Sequence, residues 1–144
     1  MHHLEVVLVV TSPDLSKPGN SRFLLLRRGD GSYQLPTAQV GEDQSTIEVA
    51  ADLLHRLTGL KARILGVGWV DLVPLPLADS VDRKVRDGSG CDTRFIGVPY
   101  GAMLPGEIVR LTDPAAKWVP LIEAFESPMY LDHREILQGA CHRI

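Results

Sequence analysis

The stretch LPTAQVGEDQSTIEVAADLLHRLTGL, residues 35–60, decides the fold because it contains the best-marked helix of the chain. Ser45 stands three residues before Glu48, which predicts a capping box in which each side chain satisfies a free backbone N–H of the first helical turn. Gly59 is the type of residue that ends helices in the left-handed conformation. Between these signals a core-facing stripe recurs at helical spacing, made of Ile47, Ala50, Ala51 and Leu54.

Short apolar segments on both sides of this helix predict strands. Before it, residues 5–11 (EVVLVVT) and 22–28 (RFLLLRR) each predict a strand, and a turn at 29–32 leads to a short strand at 33–35, ended by Pro36. After it, we predict one or two strands in 61–74, a loop at 78–92, strands at 93–100 and 107–112, a short helix that follows KWVPL (117–121) through residue 125, and a last helix at 131–139. The order predicts a mixed sheet covered by helices, in one domain of residues 1–144.

Composition narrows the class of protein. The chain has 144 residues, of which 44% are apolar and 23% charged, values typical of a soluble globular domain. The net charge is −3 and no long basic run occurs, which argues against a nucleic-acid partner. Cys91 and Cys141 make no disulfide framework, and the apolar run at 4–10 is too short to cross a membrane. We therefore predict a cytoplasmic protein without a membrane or nucleic-acid partner.

Residues 38–60 resemble the Nudix box of the Nudix (MutT-like) hydrolases. That pattern asks for Gly, five residues, Glu, seven residues, Arg-Glu, an aliphatic residue, any residue, Glu-Glu, any residue, Gly and an aliphatic residue. Leu54, Gly59 and Leu60 match, and the spacing is kept without a gap. Ala38 stands at the position of the first Gly, and Gln44 at that of the first Glu. Asp52 and Leu53 stand at the Arg-Glu pair, and Arg56 and Leu57 at the Glu-Glu pair. The resemblance covers most of the chain, since LLLRR, YQLP and KWVPL also occur where the family has equivalents.

The resemblance implies an α+β fold, an α/β/α sandwich in which a curved mixed sheet lies between helices. In the family, box carboxylates hold the divalent metal that cleaves nucleoside diphosphates linked to another moiety. Leucine has no ligand atom and the Arg56 guanidinium repels a cation, so we expect no metal in the usual place and no cofactor. The first hypothesis is therefore a non-catalytic domain that binds a nucleotide-like ligand or another protein.

The alternative hypothesis is an active hydrolase with a displaced Mg²⁺ or Mn²⁺ site. The candidate ligands of such a site are Glu42, Asp43, Glu48 and Asp52. Asp52, His55 and Glu48 are then the candidate catalytic residues, since a histidine can act as a base near neutral pH. Each acid also has a simpler role, because Glu48 completes the capping box and acids near a helix N-terminus are favoured by its dipole.

Candidate ligand-binding side chains lie outside the helix as well. Arg27 and Arg28 end the second strand, on opposite faces by strand alternation, and either one could meet a phosphate. Gln44 lies in the loop before the helix and is the third candidate. The aromatic residues that could stack on a base or fill the core are Tyr33, Trp69 and Trp118, and we expect Trp118 to pack in the core.

A second apolar stripe follows the helix at i, i+4 and i+7, formed by Leu53, Leu57 and Leu60. Either neighbouring parts of the chain cover these leucines, or Leu53 and Leu57 form an interaction surface, for example in a homodimer, or line a dry pocket for an apolar ligand part. Asp52 and Arg56, four residues apart with the acid first, predict a helical ion pair.

Overall fold

The computed structural model describes residues 2–12, 21–63, 66, 68–75, 82–86, 92–104, 110–130 and 133–141. Its strands are β1 (His2–Ser12), β2 (Arg22–Arg27), β3 (Tyr33–Gln34), β4 (Thr37–Gln39), β5 (Leu72–Pro74), β6 (Asp82–Arg86), β7 (Asp92–Met103) and β8 (Ala116–Pro120). Its helices are α1 (Thr46–Thr58), α2 (Leu121–Glu126) and α3 (His133–Cys141). Within the described ranges, no helix is long and apolar enough to span a bilayer.

The strands form one mixed sheet with β1 near its centre. β1 pairs in parallel with β7 and antiparallel with β2 and β4, and the main path of the sheet is β3-β2-β1-β7-β5. β8 pairs antiparallel with β2, and β6 with β7. The five residues from Val6 to Val10 are completely buried, as expected for a strand covered on both faces. The predicted first strand is therefore confirmed as the central strand.

Alternate residues of β1 enter two hydrophobic clusters on opposite faces of the sheet. Val6, Leu8 and Val10 pack on the α1 side, whereas Val7 and Val9 pack on the side of α2 and α3. The residues that α3 contributes to this second cluster are Ile136, Leu137 and Ala140. Each fully buried aliphatic side chain contributes about 1.5–3 kcal/mol relative to exposure. The predicted sandwich, with a mixed sheet between helices, is confirmed.

The two ends of α1 lie at the residues that the sequence predicts, but only the Ser45 half of the predicted capping box forms, since the Glu48 side chain does not bond the Ser45 amide. The Ser45 hydroxyl accepts a hydrogen bond from the Glu48 amide at 3.3 Å, and Gly59 (φ 74°) donates its N–H to the His55 carbonyl at 2.8 Å. Thr46 also shares a 2.8 Å hydrogen bond with the Tyr100 hydroxyl, which ties the start of α1 to β7. Local capping signals thus mark both helix boundaries, and contacts such as that of Thr46 with Tyr100 join the helix to the sheet.

Several predicted elements need correction. The sequence does not predict β4, because Pro36 marks the end of a strand there. In the structure, the Pro36 carbonyl accepts the Leu8 amide at 2.9 Å, and the next residues pair with β1 as β4. β6 lies inside the predicted loop at 78–92, where pairing with β7 offsets a polar composition. Residues 110–112 are not a strand, and residues 107–109 of that prediction lie outside the described residues. Among the described residues of the range 61–74, the extended pairings are β5 and an isolated bridge from Ala62 to Val70.

A buried histidine joins the start of α3 to the segment between β3 and β4. His133 is completely buried, and its Nδ1 accepts the Leu35 amide hydrogen at 2.9 Å. Nearby, Tyr130 donates its amide to the Tyr33 carbonyl at 2.8 Å, and its ring stands edge-on to the imidazole at 5.5 Å. Within the described residues, α3 begins at His133 and ends two residues beyond the predicted end.

Candidate functional site

Two adjacent clefts run along α1 on the side of β4. The first, the polar cleft, has a volume of about 350 Å³ and is lined by Ala38, Gln39, Gln44, Val49, Asp52, His55 and Arg56. The second, the leucine cleft, has a volume of about 390 Å³ and is lined by Leu26, Thr37, Leu53, Arg56, Leu57, Thr112 and Asp113. Both volumes lie near the lower end of the usual range for ligand pockets, about 300–1,000 Å³. Arg56 lines both clefts.

The register of β4 and the period of α1 explain this arrangement. β4 pairs with β1 so that Thr37 lies opposite Val7 and Ala38 opposite Val6, which brings three consecutive residues of β4 alongside α1. On α1, residues 52 and 56 form one row and residues 53 and 57 the next, because residues four apart lie on the same helical face. The first row borders the polar cleft and the second the leucine cleft.

The leucines of the degenerate box pack inside the chain itself. Leu53 and Leu57 are each only 4% exposed and belong to the hydrophobic cluster on the α1 side of the sheet. The expectation that neighbouring parts of the chain cover them is therefore confirmed. The structure replaces the predicted interaction surface at Leu53 and Leu57 with a core contact, since the small remaining exposed area forms the floor of a cleft. A partner could not contact these side chains over a large area.

The predicted ion pair between Asp52 and Arg56 is absent. Both side chains are exposed, and the ion pair found among the described residues joins Arg63 Nε to Asp71 Oδ1 at 3.5 Å. An exposed pair on a helix contributes only a few tenths of a kcal/mol, which is too little to hold two mobile side chains together. The guanidinium of Arg56 is therefore not neutralised by the acid one turn before it.

The segment before β8 closes the C-terminal end of α1. Thr112 donates its amide to the Leu57 carbonyl at 3.1 Å and its hydroxyl to the Arg56 carbonyl. Asp113 follows, and its Oδ1 accepts the Ala115 amide at 2.8 Å. These bonds satisfy helix carbonyls that have no partner within α1 and hold Thr112 and Asp113 at the wall of the leucine cleft. Sequence reasoning missed Thr112, because a contact across fifty-five residues leaves no local signal.

Two predicted ligand-binding residues have structural partners instead. Gln44 Oε1 accepts the Gly41 amide at 2.8 Å, while the Gln44 amide donates to the Gly41 carbonyl at 3.1 Å, so this side chain stabilises the loop before α1. Arg28 Nη1 donates to Gln34 Oε1 at 2.8 Å, and its guanidinium carbon lies 3.8 Å from the centre of the Tyr130 ring. Gln44 still borders the polar cleft, but Arg28 does not, and neither does the exposed Arg27.

The displaced acids do not converge. Glu42, Asp43, Glu48 and Asp52 are all exposed, and of these only Asp52 lines a cleft. In the part of the chain that the structure describes, no three His, Cys, Asp or Glu side chains come close enough to hold a metal ion together. His55 is also exposed and borders the polar cleft beside Asp52. The described side chains therefore do not fit a preformed divalent-metal site.

The aromatic and cysteine residues take varied positions. Trp118 is half-buried against the α1-side cluster, as expected for a residue that packs on the core, whereas Trp69 is 82% exposed and Tyr33 is buried.

A third cleft of about 300 Å³ lies beside β8 and is lined by Tyr33, Leu111, Ala116, Lys117, Trp118, Val119 and Glu123. Burial raises the pKa of the Cys141 thiol, while Cys91 lies outside the described residues.

Comparison by sequence finds no relative. No protein-family model matches the chain, and no curated protein matches it either.

Comparison by structure finds similar folds over nearly the whole chain. The NUDIX domain of Shewanella oneidensis NrtR, complexed with ADP ribose, is 21% identical with a TM-score of 0.67, and the match covers 99% of this chain and 88% of that one. The E. coli dihydroneopterin triphosphate pyrophosphohydrolase is 15% identical with a TM-score of 0.69, covering 98% and 96%. The C-terminal domain of mouse MUTYH, in complex with human PCNA, is 17% identical with a TM-score of 0.65, covering 98% and 89%. Such identities establish the fold alone, and the chain has the Nudix fold.

Proposed function

We propose that this protein binds a nucleotide-like ligand in the two clefts along α1 and does not cleave it. The observation that supports this proposal most directly is the identity of the α1 side chains in the leucine cleft, Leu53, Arg56 and Leu57. These side chains supply an apolar floor and one cation, but no oxygen atom that could bind a metal ion. Such a surface suits recognition of a ligand that is partly apolar and partly anionic.

Pyrophosphate hydrolysis makes different demands from binding. It needs a divalent metal to neutralise the phosphate oxygens and to activate water. Among the described residues, Asp52 in the polar cleft and Asp113 in the leucine cleft are the carboxylates that line these clefts, and Arg56 lines both. A cation beside these acids is poorly suited to hold a metal, but it can orient a phosphate while the acids accept hydrogen bonds from hydroxyl groups.

The structural neighbours support a phosphorylated ligand in different ways. One neighbour is described in complex with ADP ribose, and another is a dihydroneopterin triphosphate pyrophosphohydrolase, so the same fold accommodates nucleotide-like molecules in both. The MUTYH domain is seen with a protein partner, which matches the interaction-domain form of the hypothesis. We favour the small ligand because the clefts beside α1 contain a cation and an apolar floor side by side.

The test measures binding and turnover on the same panel of compounds. The panel consists of nucleoside triphosphates, ADP-ribose and dinucleoside polyphosphates, with millimolar Mg²⁺ and then Mn²⁺. We expect saturable binding by calorimetry for at least one compound, and no release of phosphate or nucleotide. Asp52→Asn is the control variant, since Asp52 is the displaced acid that borders a cleft. Metal-dependent turnover that disappears in Asp52→Asn would refute the proposal and establish the hydrolase alternative.

A further inference from the structure

We infer that Arg56 is the phosphate-binding group of this site and that it acts without a metal ion, so that a nucleoside diphosphate lies across Arg56 with one part in each cleft. This inference rests on the proposed function and adds the ligand class, its orientation and the group that recognises it. Four observations carry it: the position of Arg56, the absence of an ion pair to Arg56 among the described residues, the clefts that the acids line and the apolar lining of the leucine cleft.

The first observation is position. Among the residues that the structure describes, Arg56 is the one that lines both the polar cleft and the leucine cleft. A ligand that fills either cleft alone would be small, because each holds less than about 400 Å³. A ligand made of a base, a sugar and a phosphate would extend through both clefts and pass Arg56 on the way.

The second observation is the state of the guanidinium. Arg56 makes no ion pair with Asp52, although Asp52 lies one helical turn before it. The helix carbonyls that a basic side chain often serves at this end of a helix are engaged by Thr112, including the carbonyl of Arg56 itself. The planar N–H fork of Arg56 is thus available to an anion, and its geometry matches two oxygens of a phosphate group.

The third observation is where the negative charges lie. Asp52 borders the polar cleft and Asp113 the leucine cleft, so among the described residues each cleft has one carboxylate besides the shared arginine. A phosphate is repelled by either carboxylate and attracted by Arg56. A hydroxyl group, in contrast, can donate to a carboxylate oxygen. The charges therefore leave one favourable place for phosphate, at the junction of the clefts, and place sugar hydroxyls beside an acid.

The fourth observation sets the orientation. Leu53 and Leu57 form the apolar floor of the leucine cleft and are held rigidly by the core. Although little area of these two leucines is exposed, the lining of the leucine cleft also includes Leu26 and is the less polar of the two. It therefore suits a flat base better than the polar cleft, which has Gln39 and His55 in its lining. We therefore place the base in the leucine cleft and the diphosphate at Arg56, where the two clefts meet.

The test uses ADP as the probe, because ADP contains a base, a ribose and a diphosphate and nothing else. Calorimetry compares the affinity of the full chain for ADP in excess EDTA and in millimolar Mg²⁺. The variants are Arg56→Gln, Arg56→Lys and Asp52→Asn, and the matched control is Lys61→Gln, an exposed cation just beyond the end of α1. Arg56 and Asp52 are exposed, so these variants should keep the fold, which thermal unfolding verifies.

The expected change in the affinity for ADP is opposite for Arg56→Gln and Asp52→Asn, although the two residues lie one helical turn apart. Wild type should bind ADP equally well in EDTA and in Mg²⁺, and Arg56→Gln should weaken binding by about tenfold or more, as expected when a charge-assisted hydrogen bond is lost. Arg56→Lys should retain part of the affinity, because the charge remains and the fork is lost. Asp52→Asn should tighten binding, because a repelling charge is removed, and Lys61→Gln should bind as wild type does.

Each opposite result overturns a defined part of the argument. If ADP binds only with Mg²⁺, or if Arg56→Gln and Lys61→Gln bind equally well, Arg56 is not the phosphate-binding group, yet the proposed function stands. If Asp52→Asn weakens ADP binding, the carboxylate contacts the ligand or a metal, and the arrangement of charges is wrong. If wild type binds no compound of the wider panel, or hydrolyses one, the proposed function fails and this inference fails with it.

Discussion

Truncating His133 to alanine should destabilise the protein severely. In the folded chain, His133 Nδ1 accepts the amide hydrogen of Leu35 at 2.9 Å, and both residues are completely buried. Removing the imidazole leaves that N–H buried without its acceptor, which costs about 1–3 kcal/mol. The cavity left behind adds a term comparable to other large-to-small core substitutions, about 2–5 kcal/mol. The sum, about 3–8 kcal/mol, is a large part of the typical stability of a domain, about 5–15 kcal/mol.

The assay is urea unfolding followed by circular dichroism, with hydrogen exchange of the Leu35 amide as a second readout. The matched control is Gln138→Ala, an exposed position on α3, which should change the free energy of unfolding by less than about 0.5 kcal/mol. If His133→Ala is too unstable to purify, His133→Asn should fold better, because its side-chain oxygen can replace Nδ1 as the acceptor.

The hydrogen bond from the Leu35 amide also determines which ring nitrogen of His133 carries a proton, and this can be measured directly. Nδ1 can accept a hydrogen bond only when it carries no proton, so the imidazole must be neutral with its proton on Nε2. Nitrogen NMR of the imidazole distinguishes the two ring nitrogens. A proton on Nδ1, or a loss of less than about 1 kcal/mol in His133→Ala, would show that the contact between α3 and Leu35 does not stabilise the fold as argued.

Three other predictions follow from local geometry. Leu57→Ala should cost about 2–5 kcal/mol in urea unfolding, whereas Ile122→Ala, at a side chain that is 66% exposed, should cost about 0.5 kcal/mol or less. Gly68→Ala should lower the melting temperature, because φ is +129° and the added Cβ would collide with the backbone of Ala62 and Arg63. The hydrogen bond from the Ser32 hydroxyl, followed by that from its amide, lowers the pKa of Asp30, so in an NMR titration Ser32→Ala should raise that pKa towards its usual value. Because the folded-state pKa of Asp30 is lowered, its contribution to stability is present above the unfolded-state pKa and is lost as the pH falls.

The parts of the fold that the sequence predicts correctly are those with local causes. α1 is bounded by Ser45 and Gly59, which act on the nearest backbone groups of the helix. β1 contains the apolar run from Val6 to Val10, which is rich in β-branched residues and is buried on both faces of the sheet. In both cases the physical reason for the structure lies within a few residues, so a pattern in the sequence is sufficient.

The parts that the sequence misses have causes far away in the chain. β6 is polar and glycine follows it, yet it extends because β7 offers unsatisfied backbone groups to pair with. Thr112 reaches the end of α1 from fifty-five residues away, and β4 forms because β1 runs beside it. The absent ion pair between Asp52 and Arg56 has a different origin, since helical spacing permits the contact but the free energy gained in water is too small to hold it.

These distinctions bear on how the degenerate box should be interpreted. Leu54, Gly59 and Leu60 keep the frame of the motif, and the structure gives each of them a folding role. Leu54 is buried in the core, Gly59 is the C-cap of α1 and Leu60 packs against the same core. A preserved frame is therefore what stability alone would maintain, and it carries no information about catalysis. Information about activity lies in the side chains that face the clefts, and there the chain has Arg56 above a floor of leucines. Because fold and function depend on different residues of the same helix, the scaffold and its clefts form here with Leu53, Arg56 and Leu57 at the positions of the box carboxylates.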